Sequence, residues 1–384
     1  MRIVHVITRL IIGGAQENTL LTCEGLSARG HGVHLISGPT EGPEGSLAGR
    51  ARTGSYHFEE LPDLVRQVSP LRDFAALRSL RRTFELLRPD VVHTHSSKAG
   101  VLGRIAADLA GVPLIVHTIH GMSFNRTQGE LTSAMYAAAE RHCAKRCHVI
   151  VSVADAMTRQ ALAAGVGQPG QYHTIRSGMV TADFDPVKHD GRELRRQWGV
   201  SDADVLVGTV ARLFVNKGYE QLIPIMSLAA QRSLPLKFVW VGDGAQREMY
   251  EAELSRRGLR DRVIITGLLP PGEMPRVLSS IDLLAHTSQW EGLPRAVVQA
   301  MLMEKPAISF DIDGGPEVVI PGETGELVQL GDLEGFADAI EKLTADGALR
   351  NRYGVTGRAR CLVEFDHRVM VERLEALYGE LARR

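Results

Sequence analysis

The stretch MRIVHVITRLIIGGAQENTLLTCEGLSARGHGVHLIS, Met1 to Ser37, decides how the whole chain is read. Residues 3–8 form a short apolar run rich in β-branched side chains, the mark of a buried strand. Gly13-Gly14 then open a stretch over 15–29 with helical spacing of its apolar residues, and 33–37 is a second apolar run. Strand, helix and strand joined by short links make a right-handed βαβ unit, and so two parallel strands under one helix. The same Met1 to Ile12 segment is broken by His5 and Arg9 and has no long apolar region or cleavage site, so it is expected to be a first strand and not a signal peptide.

The alternation continues outward. Further strands are expected over 91–95, 114–117 and 149–153, with helices over 71–87, 99–110, 131–145 and 154–164. After residue 200 it resumes: strands over 205–211, 236–241, 263–267, 283–287 and 307–310, helices over 219–230, 245–257, 273–280, 296–303 and 333–343. Between lie Gly178, Asp185-Pro186 and Gly191, turn and linker residues, which put a boundary near residue 180. The predicted fold class is α/β, with two doubly wound domains over 1–180 and 181–365. Ligands of such sheets bind beyond the carboxyl ends of the strands, so a site is expected in a cleft between the domains.

A length of 384 residues exceeds what one core usually organises, in keeping with two domains. With 44% hydrophobic and 23% charged residues, the chain is neither disordered nor fibrous nor a coiled coil. Forty-four basic and 45 acidic residues leave a net charge of −1, which disfavours nucleic acid as a partner. That sum conceals a basic first half, with 19 Lys and Arg against 14 Asp and Glu up to residue 180, and an acidic remainder of 25 against 31. Four scattered cysteines suit a reducing compartment better than a disulfide framework. Cys143 and Cys147, flanked by His142 and His148, have a spacing that zinc pairs seldom use. No run of about 18 apolar residues could cross a membrane.

Chemistry concentrates at the expected strand ends. In His286 to Met301, HTSQWEGLPRAVVQAM, Glu291 falls in a loop at a helix entrance, with the amides of Gly292 and Leu293 beside it. Helix entrances favour anions through free N–H groups and the helix dipole. A nucleotide diphosphate could sit there while Glu291 accepts bonds from sugar hydroxyls; a plain acidic helix start is the competing reading. Gln299 follows by eight positions, about 12 Å of helical rise, and could meet the other end of one long ligand. Arg212 and Lys217, five residues apart past another strand, could neutralise a departing diphosphate, although a solvated basic turn would look similar. Gly13-Gly14 allows close backbone approach, but the full dinucleotide fingerprint is missing, so NAD is disfavoured. His120, before Gly121, would face the cleft. Asp311-Ile-Asp313 resembles a metal-binding Asp-x-Asp but reads as a loop after a strand.

Together these segments resemble the retaining GT-B glycosyltransferases of glycosyltransferase family 4. The likeness spans nearly the whole chain: Gly13-Gly-Ala-Gln16, Arg29-Gly-His-Gly-Val33, His93-Thr-His95 and Thr118-Ile-His-Gly121, then residues 208–218, Val241-Gly-Asp-Gly244, Glu291-Gly-Leu-Pro294, Gly314-Gly-Pro-Glu317 and Gly325-Glu-Leu-Val328. It implies two Rossmann-like domains, the second holding most of a nucleotide sugar, UDP- or GDP-linked, with no cofactor or metal. It implies that Arg212 and Lys217 bind the diphosphate, Glu291 a sugar hydroxyl, and His120 the sugar at the reaction centre, with Gly13, Gly14, Gly292, Leu293, Gln299 and Glu317 as further substrate contacts. Where the family carries a second glutamate, this chain has Gln299. Residues 366–384 resemble the family's closing helix, which returns to the first domain.

The expected activity is therefore transfer of a sugar, with retention, to a glycan or lipid-linked acceptor, at the cytoplasmic side. An epimerase of similar architecture and a binding protein weakened by Gln299 are the alternatives. Arg66, Arg72, Arg78, Arg81, Arg82 and Arg88 would suit peripheral contact with an anionic membrane, or simply a solvated helix face.

Overall fold

A computed structural model describes residues 1–40, 42 and 45–383. Positions 41, 43, 44 and 384, within the expected domain spans, lie outside the described residues. The chain divides into two compact units, Met1–Met179 with Phe365–Arg384, and Val180–Glu364.

The first unit begins β1 (Arg2–Ile7), α1 (Gly14–Ala28), β2 (Gly32–Ser37), α2 (Ala48–Thr53), β3 (His57–Glu60), α3 (Pro70–Leu87) and β4 (Val91–His95). It continues α4 (Ser97–Leu109), β5 (Leu114–Ile119), α5 (Glu130–Ala144), β6 (Val149–Ser152), α6 (Asp155–Ala163) and β7 (Tyr172–Thr174). Its sheet runs β3-β2-β1-β4-β5-β6-β7 with every described pairing parallel. Strand order reverses between β1 and β4, so the loops leaving those strands diverge to opposite faces.

The second unit holds α7 (Arg192–Gln197), β8 (Val205–Val210), α8 (Tyr219–Gln231), β9 (Leu236–Val241), α9 (Arg247–Arg256), β10 (Val263–Gly267) and α10 (Met274–Ser280). Then come β11 (Leu283–His286), α11 (Arg295–Leu302), β12 (Ala307–Phe310), α12 (Gly315–Val318), β13 (Gly325–Val328), α13 (Leu333–Ala345) and α14 (Gly347–Glu364). The sheet order is β10-β9-β8-β11-β12-β13, again parallel, with the switch between β8 and β11. Trp240, Tyr219, Phe238, Phe310 and Phe336 fill its core, and Tyr219 meets Trp240 edge-on at 4.8 Å.

The last helix, α15 (His367–Leu381), belongs to the first unit. It packs on α1 closely enough that a Cβ at Gly25 would lie 2.6 Å from Val371. Arg29 and His31 pair with Glu375 at 2.8 Å, and Tyr378 bonds His93 on β4.

Strands β3, β7 and β13 and helices α2, α7, α12 and α14 lie outside the expected strands and helices. β3 and β7 are four- and three-residue edge strands, HFEE and YHT, too short and polar to carry a pattern. β13 follows a tight turn and pairs only with β12. Helix α14 carries Gly347, Gly354 and Gly357, which lower helix propensity. Yet a Cβ at Gly354 would lie 2.0 Å from the Glu304 carbonyl, so the glycine is what lets α14 press against the end of α11.

Candidate active site

The switch point of the second sheet brings two loops into contact. The loop after β8 runs through Arg212 to Lys217 and enters α8 at Gly218; the loop after β11 runs from Thr287 to Pro294. Gly218 has φ +79, and a Cβ there would lie 1.7 Å from the Thr287 carbonyl, so the two backbones touch. Hydrogen bonds from Gln289 N to Asn216 O (2.9 Å) and from Thr287 Oγ1 to Lys217 O (3.3 Å) fasten them. Asp313, in the loop after β12, accepts the Glu291 N–H through Oδ2 at 2.9 Å.

In this frame Lys217 Nζ lies 2.7 Å from Glu291 Oε1 and 3.4 Å from Ser288 Oγ. His286 Nε2 is 3.5 Å from the same carboxylate oxygen, too long for a good hydrogen bond but close enough for charge to be felt. The Lys217 and Glu291 side chains are only 24% and 19% exposed, so water screens them weakly. Burial alone would raise the Glu291 carboxyl pKa. The Lys217 charge, then His286, overrides that and holds it well below the ordinary carboxylate range. An ammonium has three donors; with Glu291 and Ser288 bonded, a third can meet an anion.

Arg212 is exposed at the end of β8, its guanidinium carbon 5.6 Å from the centre of the Phe214 ring. Gly292 and Leu293 are buried between Glu291 and Pro294, which starts α11 without a side-chain cap. Gln299 is half-buried in the second turn of α11. Because the helix begins at Arg295, helical rise does not govern the separation of Gln299 from Glu291, and that part of the expectation fails. Glu317 lies in α12, and its carbonyl accepts Arg360 Nη2 at 2.8 Å.

In the first unit, Gly13 and Gly14 stand half-buried where α1 begins after β1. Neither takes a left-handed conformation, and a Cβ at Gly13 would meet only the mobile end of Gln16. His120 leaves the end of β5, half-buried, with Nε2 3.0 Å from His95 Nδ1. Behind it, β4 carries His93 and His95, fully buried in mid-sheet, where such strands usually read as apolar runs. His93 bonds Tyr378 Oη at 2.5 Å and Thr118 Oγ1 at 2.6 Å, while Thr94 Oγ1 bonds His117 Nδ1 at 2.9 Å. Burial keeps His93, His95 and His117 well below the ordinary imidazole range. The Cys147 thiol, pushed up to about 12 by burial, bonds the Val149 carbonyl at 2.8 Å, as a packed structural thiol does.

Sequence reasoning missed Ser288 and the role of Asp313, whose partners Lys217 and Glu291 lie 71 and 22 positions away along the chain, and it missed His286, only five positions before Glu291. His5 and His95 were not read as part of a site either; their visible signal was the polar alternation of His93-Thr-His95 in a strand that should be apolar.

Residues 190–360 match the family described as Glycosyl transferases group 1, and residues 13–178 match the Glycosyl transferase 4-like domain. The chain is 27% identical over 387 residues to the UDP-Gal:alpha-D-GlcNAc-diphosphoundecaprenol alpha-1,3-galactosyltransferase of Escherichia coli, covering 99% of this chain and 97% of that protein. It is 26% identical over 299 residues to the alpha-D-kanosaminyltransferase of Streptomyces kanamyceticus, covering 76% and 77%. The crystal structure of Anabaena Alr3699/HepE in complex with UDP and glucose superposes with a TM-score of 0.85 at 21% identity, over 99% of this chain and 100% of that one.

Proposed function

The chain belongs to the group 1 glycosyltransferases, with a GT-B fold, and on that premise we propose that it transfers a hexose from a nucleotide-diphosphate sugar to a lipid-linked or glycan acceptor, with retention and without a metal. The observation that carries the reading is the Lys217–Glu291 pair at the switch point of the second sheet, inside the stretch matched by the group 1 family.

In the proposed reaction the bond between the anomeric carbon and the diphosphate oxygen breaks, and the acceptor oxygen bonds to the same face of that carbon. The acceptor's hydroxyl proton passes to the departing phosphate. Charge grows on the diphosphate, and fixed cations that need no rearrangement stabilise it most effectively. Lys217 and Arg212 are those cations, Glu291 orients the sugar through its hydroxyls, and His120 of the first unit contacts the sugar. The amides at Gly292 and Leu293 face the diphosphate, Gln299 the ribose, and Glu317 the donor; Gly13 and Gly14 allow close backbone approach. The family match leaves the epimerase alternative without support.

The name of the Escherichia coli relative, with its diphosphoundecaprenol acceptor, supports a lipid-linked acceptor. So does α3. Leu71, Phe74, Arg78 and Arg82 fall within about 80° of one another at 100° per residue, and Leu71 and Phe74 are 87% and 66% exposed. An outward stripe of apolar and basic residues suits peripheral contact with an anionic membrane from the cytoplasmic side.

The test is a thermal-shift panel of UDP, GDP and ADP with their sugars, followed by transfer assays. One nucleotide should stabilise selectively, by about 2.7 kcal/mol at 100 times its dissociation constant. Arg212→Ala should lower kcat about 100-fold or more while the fold survives. Wild-type transfer by that variant would overturn the assignment.

A further inference from the structure

The second unit carries a cavity of about 440 Å³ at the edge of its sheet opposite the Lys217–Glu291 site. Its walls come from the entry and first turn of α7, from the turn between α10 and β11, and from Lys305, between α11 and β12. Asp282 stands one residue before β11 and Thr287 one residue past it, so the strand separates the two places by about 16 Å. One wall is built by backbone contact. A Cβ at Gly191, where α7 begins, would lie 2.2 Å from the Ser280 amide nitrogen, so α7 meets the end of α10 with no side chain between them.

Most charges in the wall are paired. Arg195 Nη1 donates to Asp282 Oδ2 at 2.8 Å and to the Ser280 carbonyl at 3.0 Å, and Nη2 donates to the Asp204 carbonyl at 2.8 Å. Asp282 Oδ2 also accepts the Leu206 N–H at 2.7 Å. Arg192 donates to both oxygens of Asp190 through Nε and Nη2. Two charges remain. Asp202 is exposed, where water solvates it. Lys305 is half-buried, and among the described residues its ammonium has neither a hydrogen-bond nor an ion-pair partner.

An ammonium withdrawn from water loses solvation, and here no acceptor replaces it. Burial pushes the Lys305 amine below the ordinary lysine value; Asp282 and Glu304 raise it, and Arg195 and Arg350 lower it. Asp282 is already engaged by Arg195, so the three donors of Lys305 stay unused. Arg192, 85% exposed, keeps its Nη1 available at the rim. An oxyanion would supply both the acceptors and the opposite charge. Because Asp190, Asp202 and Asp282 line the same space, one oxyanion group suits it better than a polyanion such as a nucleotide diphosphate.

We propose that this cavity is a second ligand site, which takes one oxyanion group, carboxylate or phosphate monoester, of a small polar molecule on Lys305. Its place in the fold gives such a ligand purchase on the unit. Helix α7 leads into β8 and α10 into β11, while Lys305 follows α11, which starts from the Glu291 loop. A ligand joining Lys305 to Arg192 holds α7 to the end of α11 and stabilises the folded unit by mass action. The site requires no particular role for Lys217 or Glu291, so it stands apart from the transferase reading.

The test uses full-length protein with 13C-labelled lysine, the Lys305 side-chain signal being assigned by its loss in Lys305→Arg. Inorganic phosphate and acetate are titrated separately against chloride at constant ionic strength, with and without UDP. The expected result is a saturable shift of the Lys305 signal with at least one oxyanion, together with a rise in its pKa, because a bound anion favours the charged amine. A response to phosphate alone identifies a phosphate ester as the ligand class, and to acetate alone a carboxylate. The shift should survive UDP; its loss would assign the anion to the donor site and overturn the proposal. So would the absence of a saturable shift with either oxyanion, or an equal shift with chloride. Thermal shifts give a second reading. Lys305→Met should weaken the effective anion about tenfold or more, as loss of a charged hydrogen-bond partner does, whereas Lys305→Arg should hold it within severalfold. Equal anion affinity in wild type and Lys305→Met would sink the assignment. Both variants should keep the wild-type response to UDP, and a protein with no nucleotide response at all would tell against the donor reading alone.

Discussion

Lys217 and Glu291 are 74 positions apart in sequence, and their meeting turns two ambiguous side chains into one group. Each alone reads as an ordinary surface charge; together, poorly screened, they fix an ammonium where an anion can reach it. Lys217→Ala should cost about 100- to 1000-fold in kcat, the usual loss when a charge-stabilising donor is removed. It should also cost about 1–3 kcal/mol of stability, since the carboxylate loses its strongest partner. The pH dependence has a definite sign. The folded pKa of Glu291 is depressed below its unfolded value of about 4.3. The pair's contribution is therefore complete above roughly pH 5 and fades as pH falls through the folded value. Urea titrations of wild type and variant should differ by a constant amount from pH 6 to 8 and converge below pH 4. A gap that widened on acidification would contradict the pairing. Gln299, half-buried in α11, stands where the family carries a glutamate: Gln299→Glu should change nucleotide preference in the thermal-shift panel and leave the fold intact.

Elements, not residues, set the loop geometry. Gly218 is required twice, by its φ of +79 and by the Thr287 carbonyl in the place its Cβ would take. Gly218→Ala should force the loops after β8 and β11 apart. The expected result is a loss of about 1–3 kcal/mol from overpacking, together with loss of nucleotide-induced stabilisation. Measured Tm and the UDP and GDP shifts read these separately. The contact of α15 with β4 is tested more mildly. Tyr378→Phe leaves His93 Nδ1 without its partner at 2.5 Å and should cost about 1–2 kcal/mol in denaturant unfolding. No loss would mean that α15 is held by its packing on α1 alone. These elements were only partly legible beforehand. Alternating apolar runs marked the central strands, because both their faces are buried, whereas β3, β7 and α14 draw their stability from neighbours and carry too little pattern of their own.

For the whole molecule, the near-zero net charge is an average over a basic first half and an acidic second half. The exposed Leu71 and Phe74 among the arginines of α3 give the basic half an apolar component that composition could not reveal. No helix of the described residues is long and apolar enough to cross a membrane, so any membrane contact made by a helix is peripheral. Flotation with liposomes should recover the protein only when anionic lipid is present. Recovery should fall with added salt, because the attraction is screened over about 10 Å at 0.1 M. It should fall further in Phe74→Ser with Arg78→Glu. Equal flotation on neutral vesicles would remove the electrostatic part of the proposal.

The sequence alone determined the α/β class, the two parallel sheets and the family, because strand burial, helix periodicity and short motifs are local properties. It also marked Lys217, Arg212, Glu291 and His120 as candidates by their place after strands. Only the tertiary structure decided which of them meet: strand order places the loops after β8 and β11 side by side, and no local pattern encodes strand order. The line from His5 through His95 to His120 is of the same kind. Its members stand on β1, on β4 and just past β5, neighbours in the sheet but distant in the chain, so strand order is what brings them together.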